Sequence, residues 1–229
     1  MSAETGAPLG FFLENRYLTD LRTGAAGAIA IKHLSAPTSK KIAFLGAGKI
    51  ASDVAKATAL VRPGYVAVAY SRGGASKFCE AMHRDLGLSF TACASAQEAC
   101  AEADVIVTTT PGTEQCLQKA WLKPHVTIVA LGSDQPTKNE LPPEVLAASK
   151  YVPDLTKQCA RLGELRTAMA AGVMTEEDVH AELGEVVNGS KMGRVGEEMI
   201  VCDLTGTGAQ DAAIGQVAWD KLSTLAALS

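Results

Sequence analysis

The chain's plainest chemical feature is Gly46-Ala47-Gly48, preceded by the apolar run Ile42 to Leu45 and followed by Ile50, Val54, Ala57 and Val61 at helical spacing. A buried strand that turns tightly into a helix presents unpaired N–H groups and the positive end of a helix dipole to an anion. Gly46 permits the sharp turn, Gly48 lets the backbone approach a pyrophosphate, and Ala51, in the third small position, lets the helix pack closely on the sheet. A short glycine motif also occurs as an ordinary turn. Here the strand before it and the amphipathic helix after it argue for a dinucleotide cradle.

Other residues bear on what such a cradle would serve. The second strand, 65–71, runs into Tyr70-Ser71-Arg72, where NAD-specific folds place an acid for the ribose 2′-hydroxyl. With no carboxylate there to repel a 2′-phosphate, and Ser71 and Arg72 able to bind one, NADP(H) is favoured and NAD(H) stays admissible. The plain alternative is an arginine that merely follows a strand end. Thr109 and Thr110 fall at the carboxyl end of the buried stretch 104–112, where open α/β sheets bind ligands, although threonine is also simply a good strand residue. Asp134 follows the apolar strand that opens 126–141 and faces the same crevice, yet on residue type alone it is more often a turn residue ahead of Pro136 than a catalytic one. Arg22 lies in the first turn of a helix that Thr19 or Asp20 can cap. Guanidinium and helix terminus together would bind a carboxylate or phosphate, and a solvated surface arginine is the other reading. Thr205 and Gly206 open a second glycine loop, able to bind a phosphate or simply to join a strand to a helix.

Some chemistries have little support. His33, His83, His125 and His180 are scattered without ligand spacing, and no Gly-x-Ser-x-Gly elbow occurs, which disfavours a metal site and a serine hydrolase. Lys+Arg 21 against Asp+Glu 25 leaves a net charge of −4, which argues against a broad nucleic-acid or anionic-membrane surface. The 6 cysteines show no Cys-x-x-Cys spacing and read as free thiols of a reducing compartment. No stretch reaches the length of a membrane span and the first residues lack signal-peptide character, so cytoplasm is the expected location.

The elements that must position these residues follow from periodicity. With 229 residues, 47% of them hydrophobic, the chain can bury one large core and a smaller piece. A short strand is expected over 10–14, a helix from about residue 20 to 34, and a polar linker over 35–40. Strand and helix then alternate: strands at 41–45, 65–71, 88–92, 104–112 and from 126, with helices after the glycine loop, over 76–86 and over 95–103. Beyond Pro142 the pattern becomes more helical, with a short strand near Tyr151, helices over 162–171 and 176–187, and a closing strand and helix from about Gln210. This alternation predicts an α/β, Rossmann-like, doubly wound parallel sheet. The tryptophans and methionines read as packing residues.

Five blocks in order, YLTDLRTGAAGAIA (17–30), FLGAGKIA (44–51), ALGSDQPTKNEL (130–141), GELRTAM with HAELGEVVNGSKMGR (163–169 and 180–194) and LTGTGAQDAAI (204–214), resemble the ornithine cyclodeaminase and mu-crystallin family. The resemblance runs from about residue 8 to the end. It implies an NAD(P)-dependent oxidoreductase or cyclodeaminase acting on a small amino acid or its imine, by hydride transfer at Cα. By the same resemblance Arg22 would bind the substrate carboxylate and Thr23 would lie close to the cofactor phosphates. Gly46, Gly48, Lys49 and Ile50 would form the dinucleotide loop. Asp134 would be the catalytic acid, Lys138 a cofactor-side lysine, and Thr205-Gly206 the loop beside the nicotinamide.

Family members carry a longer N-terminal segment, with a second substrate-binding arginine and a catalytic lysine, so the resemblance implies a shortened member. Residues 40–198 are expected to form the NAD(P)-binding domain. Residues 1–39 and 199–229 are expected to be remnants of a split substrate and dimerisation domain whose apolar surface favours a homodimer. The alternative is a crystallin-like NADP(H)-binding module without catalysis.

Overall fold

The computed structural model describes residues 1–226 apart from Ala3 and Thr113. Seven strands, β1 (Lys41–Leu45), β2 (Val66–Tyr70), β3 (Phe90–Ala92), β4 (Val105–Thr108), β5 (Thr127–Ala130), β6 (Lys150–Pro153) and β7 (Ile200–Asp203), form one sheet. Their order is β3-β2-β1-β4-β5-β7-β6 and every pairing is parallel. The helices are α1 (Tyr17–Leu34), α2 (Lys49–Val61), α3 (Ser76–Leu86), α4 (Ala96–Ala101), α5 (Pro143–Ala147), α6 (Thr156–Cys159), α7 (Glu164–Ala170), α8 (Leu183–Val187) and α9 (Gly208–Ala226). This is the doubly wound, Rossmann-like α/β fold that the alternation predicts.

The central strands read as unbroken apolar runs because both of their faces are covered. Neighbouring residues go to opposite cores: Phe44 and Val107 join Ile31, Leu34 and Val54 on one face, while Leu45 and Ile106 join Leu146, Tyr151 and Leu165 on the other. Helix α1 lies directly on α2. A Cβ on Gly24 would fall 2.6 Å from the Asp53 carbonyl carbon, and one on Gly27 3.0 Å from Val54. The Gly-Ser-Lys-Met-Gly-Arg stretch ends in Arg194, whose guanidinium donates to the carbonyls of Leu34 and Glu198 and to the Thr127 hydroxyl, fastening the end of α1 to β5 and the approach to β7.

Several expectations need correction. Residues 10–14 form no strand, since no neighbouring strand edge pairs with them, and Phe11 and Leu13 are exposed. Helix α1 starts at Tyr17, not at Thr19 or Asp20. Arg16 is its N-cap in the left-handed region, and the Glu14 carboxylate accepts the Leu18 N–H in place of a serine- or threonine-type cap. Arg22 therefore lies in the second turn and gains nothing from the helix terminus. The stretch 176–187 is not one helix. It breaks because the His180 N–H bonds to the Tyr151 carbonyl at 3.1 Å, and α8 restarts with a capping box between Glu182 and Glu185. β7 lies inside the sheet, between β5 and β6. Trp219, Met1 and Met192 are not core residues; they are exposed.

Candidate functional site

Because all strands run the same way, every loop that follows a strand emerges at one edge of the sheet. The order reverses at β1, with β2 and β3 on one side and β4 onward on the other, and the crevice between the diverging loops of β1 and β4 is where such sheets take ligands. Gly46 follows β1 with φ +110, and a Cβ there would lie 2.6 Å from Thr109 Oγ1. Both conformation and space therefore require glycine. Gly48 is the N-cap of α2 and faces open space, whereas Ala51 is fully buried against the sheet. Ile50 packs partly into the core. The Lys49 ammonium is engaged by the buried Asp53 carboxylate one turn on.

The Thr109 hydroxyl is buried directly against this loop and has no hydrogen-bond partner among the described residues. An orphaned hydroxyl beside a glycine turn and a helix N-terminus fits a dinucleotide diphosphate, whose oxygens would accept what the protein leaves unpaired. Next to it, a cavity of about 470 Å³ is lined by Gly46, Tyr70, Ser71, Arg72, Thr110 and Glu114, among others. Ser71 and Arg72 thus meet the glycine loop in one cavity. Arg72 Nη1 lies 3.2 Å from Glu114 Oε2.

Thr110 has a different duty. Its N–H and hydroxyl both donate to Glu140 Oε1, at 2.6 and 2.7 Å, while Thr108 Oγ1 and the Gly132 N–H donate to Oε2 at 2.6 and 2.7 Å. Glu140 is fully buried. Burial pushes its carboxyl up, and the threonine and backbone donors hold back that rise. This carboxylate clamps the ends of β4 and β5 together. Glu164, also fully buried, accepts the N–H groups of Glu140 and Leu141 and the Asn139 amide, while its own N–H donates to Asp203 Oδ2 at 2.7 Å. Tyr151 donates to the same Asp203 oxygen at 2.5 Å. Burial first, and repulsion from Asp203 second, raise Glu164; burial also raises Asp203, held back by the Tyr151 hydroxyl and pushed further by Asp154.

The loop held by these acids carries Asp134 and Lys138, paired at 2.7 Å. The Lys138 carbonyl is fixed from below by the Ser133 hydroxyl and the Arg166 guanidinium. Lys138 also packs where a Cβ on Gly112 would be, 3.0 Å from Lys138 Cβ, which places the pair beside the cavity.

At the other end of the edge, Gly206 has φ +83, and a Cβ there would lie 2.7 Å from an Arg22 nitrogen. Arg22 is held by Asp211 Oδ1 at 2.9 Å from Nε and by Gln210 Oε1 at 3.1 Å from Nη1. Its side chain is 17% exposed, so it is neither a solvated surface arginine nor a helix-terminus residue. The loop itself is pinned by Asp154, which accepts the Gly206 N–H at 2.7 Å and the Thr205 hydroxyl at 3.0 Å. Burial raises the Asp154 carboxyl and these donors limit the rise. A groove of about 480 Å³, mostly apolar, runs past Arg22 and Asp154 between α1, α8 and α9. The Thr23 hydroxyl donates back to the Thr19 carbonyl within α1.

Sequence reasoning missed Glu114, Glu140, Asp154, Glu164, Asp203 and Asp211. Asp154 and Asp203 carried one signal, an acid at the end of an apolar strand. Among the described residues no group of three or more His, Cys, Asp or Glu is placed to hold a metal ion, and no helix is long and apolar enough to cross a membrane.

The sequence model of the ornithine cyclodeaminase/mu-crystallin family matches residues 1–225. The alanine dehydrogenase of Archaeoglobus fulgidus is 38% identical over 222 residues, 96% of this chain and 68% of that protein. The structure of Thermococcus litoralis Δ1-pyrroline-2-carboxylate reductase in complex with NADH and L-proline superposes with a TM-score of 0.94 at 30% identity, covering 98% of this chain and 71% of that one. An archaeal alanine dehydrogenase dimer with bound NAD superposes with a TM-score of 0.90 at 36% identity, covering 97% and 69%. A cradle at the β1 turn, an arginine lodged against a glycine loop and this match along nearly the whole chain have one meaning: the protein belongs to the ornithine cyclodeaminase/mu-crystallin family.

Proposed function

We propose that the protein is an NAD(P)-dependent oxidoreductase that interconverts a small α-amino acid and its imine by hydride transfer at Cα. The observation that carries this reading is the shared edge of the sheet, where a dinucleotide cradle and an acid–lysine pair follow strands of one direction and the loop after β7 meets an arginine braced on α1. Gly46, Gly48 and the start of α2 would hold a pyridine nucleotide, which would supply the hydride. Arg22, held by Asp211 and Gln210, binds the substrate carboxylate and so fixes Cα. Asp134, oriented by Lys138, holds and moves the proton at the substrate nitrogen. Thr205 and Gly206, pinned by Asp154, form the wall beside Arg22.

Residues 40–198 together with β7 would carry the coenzyme, with α1 and α9 as the flanking substrate-side elements. Ser71 and Arg72 support use of NADP(H) as well as NAD(H). Free thiols at all 6 cysteines support a reducing compartment, the cytoplasm. Exposed apolar residues on α1 and α9 support a homodimer.

The test is titration with NADH and NADPH by fluorescence, followed by reduction assays with Δ1-pyrroline-2-carboxylate and with pyruvate plus ammonia. Coenzyme binding with turnover that falls about a hundredfold or more in Asp134→Asn is expected. Full turnover in that variant would overturn the role of Asp134, and coenzyme binding without turnover on any imine would favour a binding module.

A further inference from the structure

We propose that Glu114 sets the choice between NAD(H) and NADP(H), supplying from the segment after β4 the carboxylate that the end of β2 lacks. The inference rests on reading the 470 Å³ cavity as the ribose side of a pyridine nucleotide site. Ser71 and Arg72 stand where a 2′-substituent would arrive, next to Gly46. On its own, that corner would select a phosphate. The guanidinium is not alone: Arg72 Nη1 and Glu114 Oε2 are 3.2 Å apart, and both residues line the same cavity.

Two consequences follow for a 2′-phosphate. It competes with Glu114 for Arg72, and it binds near a like charge. A 2′-hydroxyl meets neither obstacle and can donate to the Glu114 carboxylate, as it does to the acid of NAD-specific folds. The ion pair is easily exchanged, because the two side chains are 67% and 76% exposed and such pairs contribute little to stability. Glu114 thus holds NADP(H) affinity back without closing the site to it, and the chain uses both coenzymes.

The experiment measures dissociation constants of NADH and NADPH by coenzyme fluorescence for the wild type, Glu114→Gln and Arg72→Gln, without substrate. Glu114→Gln is expected to shift the affinity ratio toward NADPH by about tenfold, and Arg72→Gln to weaken NADPH while leaving NADH within about twofold. Both side chains are exposed, so neither variant disturbs the core. A wild-type protein that binds coenzyme, with a ratio unchanged in Glu114→Gln, overturns this proposal alone. A wild-type protein that binds neither coenzyme overturns the underlying reading as well.

Discussion

Arg22 shows how little of a residue's role is set by its own position in the chain. Two side chains from α9, Asp211 and Gln210, hold its guanidinium, and only a residue without a Cβ at 206 leaves it room. Asp211→Asn keeps the shape but loses the charge that orients Nε, so the KM for the amino or imino acid should rise about tenfold with kcat little changed. Equal losses in kcat and kcat/KM would show instead that Asp211 acts in the reaction step. Gly46 is a case the sequence does disclose. At φ +110 and against Thr109, Gly46→Ala should destabilise the protein by about 2 kcal/mol or more and abolish coenzyme binding, measured by urea denaturation and NADH titration. The buried acids are the opposite case. Glu140 and Glu164 look like ordinary turn and helix-start residues, because the partners that fix their roles lie on other strands and helices.

Among the elements, the strands were legible because burial on both faces writes them as apolar runs, as at Ile42 to Leu45. The start of α1 and the break in 176–187 were not, since Glu14 and the His180 to Tyr151 contact decide them and neither has a periodic signature. The acids that join strand ends also give the fold a pH dependence. Asp203 is pushed up to about 7 and Glu164 to about 8, burial being the first cause in each. The folded state then binds more protons than the unfolded chain between about pH 4 and pH 8, so stability falls as pH rises through that window. Unfolding free energies from urea denaturation between pH 5 and pH 9 should decline as pH rises, and Asp203→Asn should flatten the decline. An unchanged slope in that variant would place the effect elsewhere.

At the scale of the whole molecule, apolar surface is concentrated on the helices outside the sheet. Tyr17, Leu21 and Ile29 of α1, Val217, Trp219 and Leu222 of α9, and Phe11 and Leu13 before α1 are all exposed. Such a face favours association. Sedimentation velocity should show a dimer whose population rises with concentration, and Leu21→Glu with Leu222→Glu should return the monomer. A concentration-independent monomer of the parent chain would remove the dimer from the account.

The sheet order has a consequence for biosynthesis. β6 bonds only to β7, and β7, although last in sequence, sits between β5 and β6. On the ribosome, residues 150–153 therefore emerge about fifty residues ahead of the strand that can receive them. Until Ile200–Asp203 clears the exit tunnel, Tyr151 has no Asp203 for its hydroxyl and the far third of the sheet stays open. A nascent chain stalled just short of that point would hold coenzyme-loop elements already in place beside an unzipped edge, the form most in need of a chaperone.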